Sequence, residues 1–162
     1  MDSLFQKALS LAYFFLKFRP RTKQEIVRYL EKKSPKYGFS KSVIDNVILQ
    51  LISENLIDDE KFIGMYVRDR NRFKPRSVFL LQRELLKLGI SKNLLDAFFS
   101  KHDHDETALA EKLLSRRKYT YSRLDKKKRF QKSISYLQRK GFSYDIAKKV
   151  YQKIFEKSTE VF

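Results

Sequence analysis

Cysteine and tryptophan are absent from the 162 residues, and glycine and proline are scarce, at four and three copies. Without cysteine there are no disulfides and no thiolate metal sites, which fits a reducing compartment. So few turn-forming residues leave little material for a turn-rich β fold. With 42% hydrophobic and 34% charged residues, the chain reads as all-helical with real apolar cores. No apolar run reaches membrane-spanning length. The run Leu11-Ala12-Tyr13-Phe14-Phe15-Leu16 does not read as a signal peptide. Asp2 is acidic where a basic segment belongs, no small-residue cleavage site follows, and Leu4, Ala8, Leu11, Phe15 and Phe18 share one helical face. The start is read as the first helix of a soluble, cytoplasmic protein.

What is present is a repeat. Gly38-Phe39-Ser40, Gly89-Ile90-Ser91 and Gly141-Phe142-Ser143 stand 51 and 52 residues apart, each between two stretches of helical periodicity. Each glycine suits a helix C-terminus, where φ is positive, and each serine suits the N-cap of the next helix. Leu85 and Leu137 lie four residues before their glycines. Leu30 lies eight before, so Ser34-Pro35-Lys36-Tyr37 reads as a loop insertion. Ten residues before Leu30 and Leu85 stand Pro20 and Pro75, in Arg19-Pro20-Arg21 and Lys74-Pro75-Arg76; the third repeat has lost the proline. The expected organisation is three tandem three-helix modules, at 1–56, 57–104 and 105–162, in an extended, curved array. Units of about 50 residues are near the lower limit for independent folding, so neighbours should support one another.

Caps and periodicity predict nine helices. Thr22-Lys23-Gln24-Glu25 is a capping-box pattern opening a helix from about 23 to Lys33. Ser40 opens the next, with Val43, Ile44, Val47, Ile48 and Leu51 as its buried stripe. Asp58 is an N-cap candidate, followed by Asp59 and Glu60 at the positive end of a helix running to about Arg72. Ser77 and Ser91 start two more. The third module should hold helices near 106–119 and 125–140, and a last one after Ser143 carrying Ile146, Ala147, Val150 and Ile154.

Charge is the second informative quantity. The net charge is +17, divided as +6 over residues 1–50, +2 over 51–100 and +9 over 101–162. Such an excess implies self-repulsion that a polyanionic partner would relieve, which points to nucleic acid. The densest clusters are Arg116-Arg117-Lys118 and Lys126-Lys127-Lys128-Arg129, with Arg139 and Lys140 further on. Tyr119, Tyr121 and Phe130 are interleaved among them. Cations at suitable spacing neutralise phosphates, and exposed rings can stack on unpaired bases; for Phe130 core packing is the preferred reading. Arg68, Arg70, Arg72, Lys74 and Arg76 form another cluster. Their i, i+2 spacing keeps them off a single helix face.

Catalysis finds little support. There is no Gly-rich phosphate loop with Lys and Ser or Thr. Asp58, Asp59 and Glu60 are better explained by helix capping than by metal ligation, and His102-Asp103-His104-Asp105 reads as a solvated loop. No enzymatic activity, cofactor or metal is expected.

The chain resembles the RecX family of modulators of the RecA recombinase over nearly its whole length. The resemblance rests on Ala8-Leu9 followed by Arg19-Pro20-Arg21 and Glu25, on Leu56-Ile57-Asp58-Asp59-Glu60-Lys61-Phe62, and on Tyr66-Val67-Arg68-Asp69-Arg70. It continues with Lys74-Pro75-Arg76 followed by Leu81, Glu84-Leu85 and Gly89-Ile90-Ser91. The third module diverges most. The resemblance implies a monomer that lies in the helical groove of the RecA filament on single-stranded DNA, inhibits RecA ATPase and strand exchange, and promotes filament shortening. It also implies a place in recombinational repair and the SOS response. Duplex DNA is a further candidate ligand; a membrane is not.

On this reading Arg116, Arg117, Lys118, Lys126, Lys127, Lys128, Arg129, Arg139 and Lys140 face DNA. Arg19, Arg21, Arg68, Arg70, Arg72, Lys74 and Arg76 contact RecA or DNA. Composition and spacing alone leave two alternatives open: a helix-turn-helix transcription factor, and a sequence-tolerant nucleic-acid-binding protein acting without RecA.

Overall fold

The computed structural model describes residues 2–157; Met1 and residues 158–162, the end of the third expected module, lie outside the described residues. Ten α-helices follow one another, with no strand among the described residues: α1 (Asp2–Leu16), α2 (Lys23–Tyr37), α3 (Lys41–Ser53), α4 (Asp59–Phe73), α5 (Val78–Lys87), α6 (Lys92–Lys101), α7 (Glu106–Ser115), α8 (Lys118–Ser122), α9 (Lys126–Arg139) and α10 (Tyr144–Tyr151). A π-helical turn, Gln152–Glu156, continues α10.

The repeat is explained position by position. Gly38, Gly89 and Gly141 all take positive φ, at 75°, 86° and 90°. The hydroxyls of Ser40, Ser91 and Ser143 accept from the amides of Val43, Leu94 and Ile146, capping α3, α6 and α10. Between glycine and serine, Phe39, Ile90 and Phe142 turn inward, and Leu30, Leu85 and Leu137 are fully buried. Each Gly-x-Ser triplet therefore ends one helix, anchors the turn in the core and starts the next.

Contacts divide the chain into two compact units, one holding residues up to Tyr66 with Glu84–Phe98, the other holding Val67–Arg83 with Phe99 onward. The first packs Ala8, Leu9 and Ala12 of α1 against Ile26 and Leu30 of α2 and Ile44, Val47, Ile48 and Leu51 of α3. The second packs Ala110, Leu113 and Leu114 of α7 against Ile134 and Leu137 of α9 and Ala147, Val150 and Tyr151 of α10.

Four expectations are corrected. The stretch Ser34-Pro35-Lys36-Tyr37 is not a loop: α2 runs through Pro35 to Tyr37, and the Ser34 hydroxyl donates to the Leu30 carbonyl at 3.2 Å. Four residues make about one helical turn, so the insertion lengthens α2 while rotating the frame by only about 40°. On α1 the core face is Ala8, Leu9 and Ala12, while Leu4 and Phe18 are exposed; the small alanines let neighbouring helices approach closely. Val43 is half-buried rather than buried. The helix expected over 106–119 breaks at Arg116, where the Arg117 amide bonds the Leu114 carbonyl three residues back and closes α7. That break creates α8, the tenth helix.

The second helix of each of the first two modules is tied to a neighbouring turn. Thr22, fully buried, forms both bonds of its capping box with Glu25, accepting from the Glu25 amide at 3.1 Å and donating its own amide to the Glu25 carboxylate at 2.9 Å. Its hydroxyl also donates to the Leu88 carbonyl at 2.6 Å, immediately before Gly89. The arrangement recurs at Ser77, which is buried, caps Leu80 through its hydroxyl and donates its amide to the Lys140 carbonyl, immediately before Gly141. Thr22→Val keeps the shape but strands the Glu25 amide and the Leu88 carbonyl in a dry site. It should lower stability by about 2–4 kcal/mol, whereas Thr22→Ser, which keeps the hydroxyl, should lose only about 1 kcal/mol. The shift in urea midpoint at constant slope measures both.

Candidate nucleic-acid interface

Several basic residues of the second unit gather at the C-terminal end of α4. Its last carbonyls attract cations from α7 and its C-cap: Lys112 Nζ donates to the Asn71 carbonyl at 3.3 Å, and Arg116 Nη1 to the Phe73 carbonyl at 3.5 Å. Positive charge there complements the negative end of the helix dipole. The bond from the Ser77 amide to the Lys140 carbonyl, 3.0 Å, brings the end of α9 to the start of α5. Two clusters some 40 residues apart in sequence thus become neighbours, with Arg72 and Lys74 exposed beside Arg116, and Arg139 and Lys140 beside the residues that follow Arg76.

Aromatic rings are built into this surface. Arg117 and Lys140 both lie over the Tyr136 ring, at 5.3 and 5.8 Å from its centroid, and Tyr121 meets that ring edge-on at 6.5 Å. Arg123 lies over Tyr119 at 4.4 Å and bonds its hydroxyl. From Lys112 to Tyr144 the sequence holds twelve Lys and Arg and a single acid, Asp125. Sequence reasoning missed Lys112, Arg123, Lys132 and Tyr136 as members. The signal was there in the i, i+4 spacing of Lys112 with Arg116 and of Lys132, Tyr136 and Lys140.

The remaining candidates go elsewhere. Lys126, Lys127 and Lys128 open α9, about 20 Å along that helix from Arg139. Asp125 caps this turn through the Lys128 amide at 2.9 Å and pairs with Lys128 Nζ at 3.7 Å. Eight residues separate Thr22 from Leu30 and Ser77 from Leu85, but twelve separate Asp125 from Leu137, so α9 carries one extra turn at its start. Three lysines there oppose the positive end of the dipole, at a cost of about 0.3–1 kcal/mol each. Arg129 is not a free cation: it is half-buried, its Nε near the Tyr151 hydroxyl at 3.4 Å and its guanidinium 5.3 Å from the Phe155 ring centre. Phe130 packs edge-on against Tyr151, in keeping with core packing.

In the first unit, Arg19 bonds the Pro20 carbonyl at 2.9 Å and pairs with Glu25. Arg21 is half-buried, lying 3.8 Å over the Phe15 ring and 3.6 Å from Glu25. Burial, and next the Arg19 charge, lower its pKa from the ordinary arginine value. Arg21 therefore builds the turn into α2. Arg68 is exposed; Arg70 and Arg76 are half-buried. Asp58 caps the Lys61 amide at 3.0 Å. Asp59 accepts from the Lys23 amide at 2.8 Å, linking the starts of α2 and α4, and burial raises its pKa above the usual carboxylate value. Asp105 caps α7 through the Ala108 amide, and His104 meets the Phe99 ring edge-on. Among the described residues no group of three or more His, Cys, Asp or Glu is placed to hold a metal, and no helix is long and apolar enough to cross a membrane.

These features define a class: an all-helical protein of repeated helix-turn-helix modules, carrying a basic, aromatic-studded face. Residues 104–151 match the family model described as RecX, third three-helix domain. The match falls on the module that differs most from its two siblings. The chain is 31% identical over 142 residues to the regulatory protein RecX of Geobacillus thermodenitrificans, covering 87% of this chain and 51% of that protein. It is 32% identical over 142 residues to that of Streptococcus pyogenes, covering 86% and 52%. The crystal structure of RecX from Lactobacillus salivarius superposes with a TM-score of 0.78 at 23% identity, covering 95% of this chain and 98% of that one. A second crystal structure of regulatory protein RecX gives 0.73, also at 23%. The chain is similar to RecX regulatory proteins along most of its own length, and it spans about half the length of the curated relatives it matches.

Proposed function

We propose that the chain is a non-enzymatic regulator of a RecA recombinase, acting in the cytoplasm as a monomer. It binds the RecA filament on single-stranded DNA, lies in the helical groove and restrains ATPase and strand exchange. The basic surface around the end of α4 faces DNA, with Arg72 and Lys74 joining Arg116, Arg117 and Lys118 rather than serving RecA. The first unit contacts the filament protein. The observation that carries the reading is that surface, in a chain similar to RecX proteins: Lys112 and Arg116 are drawn onto the last carbonyls of α4, beside the exposed Arg72 and Lys74. A repeated module suits a filament because the filament presents the same surface again and again. Linked weak contacts then add up through effective concentration.

RecA ATPase on single-stranded DNA, at roughly physiological salt, tests this directly. Substoichiometric amounts of the protein should suppress the activity at concentrations too low to coat naked DNA, followed in parallel with a labelled strand. Suppression only when the DNA itself is coated would replace the filament reading with generic nucleic-acid binding.

A further inference from the structure

The segment between α7 and α9 differs from its counterparts in the other two modules. In those, the first and second helices are joined by 17–22 and 74–77; here 116–125 intervene and fold the extra helix α8. That insertion carries Arg116, Arg117, Lys118 and Arg123, with Tyr119 and Tyr121 between them. Tyr119 is 73% exposed, the most exposed large apolar side chain among the described residues. A ring so placed contributes nothing to the core, and burial statistics give no reason to keep it. Two residues on, Tyr121 lines an open groove of about 380 Å³ between α8 and α9, together with Gln131, Lys132, Ser135 and Arg139.

We propose that α8 and this groove form a single-strand-reading site in which an unpaired base stacks on Tyr119 while Lys132, Arg139 and the cations of α8 hold the flanking phosphates. Charge complementarity selects a polyanion, and the exposed ring selects one with open π-faces. Arg123 covers the Tyr119 ring from one side at 4.4 Å, which leaves the other for a base and supplies a cation beside it. A duplex, whose bases are already stacked, gains only the phosphate contacts. The inference rests on the functional reading above in taking a single strand as ligand, and its test needs no RecA.

The chain has no tryptophan, so Tyr119→Trp places a sole indole on this site. Oligo(dT) of about 20 nucleotides should quench its emission at saturation. An abasic strand of equal length, equal in charge but without bases, should bind with little quenching; binding is followed by anisotropy of a labelled strand. Tyr119→Ala should weaken oligo(dT) binding by about 5-fold to 100-fold, the range that one base–aromatic stack spans. Its salt slope should stay unchanged, because no phosphate contact is lost. Tyr119→Phe should bind within about twofold of the original. Equal quenching by the abasic strand, or unchanged oligo(dT) affinity in Tyr119→Ala, overturns the proposal. Loss of RecA regulation with base-dependent quenching intact would overturn the functional reading instead and leave this one standing.

Discussion

Alanine at Gly89 or Gly141 should destabilise the chain by about 2–5 kcal/mol, while alanine at Gly38 should cost only about 1–2 kcal/mol. All three glycines have left-handed backbone conformation, so any side chain incurs the strain of positive φ, about 1–2 kcal/mol. The difference lies in what a Cβ meets. At Gly89 it would sit 2.2 Å from Cβ and 2.5 Å from Cγ of Gln24; at Gly141, 2.1 Å from the Ser77 hydroxyl and 2.6 Å from Leu80 Cγ. Those atoms belong to the helix starts held by Thr22 and Ser77, so relief requires moving a buried cap, which adds about 1–3 kcal/mol of overpacking. Gly38 has nothing within 4 Å among the described residues. Urea unfolding of the three variants measures the contrast. Equal losses at all three positions would mean that positive φ alone sets the cost and that the joints at Gly89 and Gly141 yield freely.

Replacing Lys126, Lys127 and Lys128 together by Gln should weaken single-stranded DNA binding by about 100-fold near 0.1 M salt and reduce the salt slope by about 2, if each lysine neutralises one phosphate. Stability should hold or rise slightly, since three cations leave the positive end of α9. Arg129→Gln should do the reverse, lowering stability by about 1 kcal/mol through lost contact with Tyr151 and Phe155, with a smaller effect on the salt slope. Titrations at several salt concentrations, paired with thermal unfolding, separate the two. An unchanged slope in the triple variant would remove this turn from the interface and leave the surface around the end of α4 as the sole DNA-facing region.

The aromatic residues mark where sequence reasoning stops. Phe130, Tyr119 and Tyr121 look alike in a basic stretch, yet Phe130 packs on Tyr151 while Tyr119 stands in solvent. The fate of each ring depends on which side of its helix meets a neighbour. For Arg129 the same holds: four adjacent cations share a cluster in the sequence, and the helical rotation of 100° per residue turns the fourth onto Tyr151. Arg21 is a further case, adjacent to Pro20 and indistinguishable from Arg19 until Phe15 and Glu25 are brought beside it.

By itself the sequence determined the repeat and nearly all its caps. Thr22, Ser40, Asp58, Ser77, Ser91 and Ser143, read from the sequence as caps, each bond an amide three residues ahead, as do Asp105 and Asp125, which the sequence reading did not single out. Such bonds are local, so residue type and spacing suffice to find them. Positive φ at the three turn glycines follows for the same reason, from the missing Cβ. The gathering of cations was decided only by tertiary structure. Arg116 reaches Phe73 across 43 residues and Ser77 reaches Lys140 across 63, and no local rule carries information over such separations. Helix packing sets those distances, and with them which charges add to a common field and which are spent inside the fold.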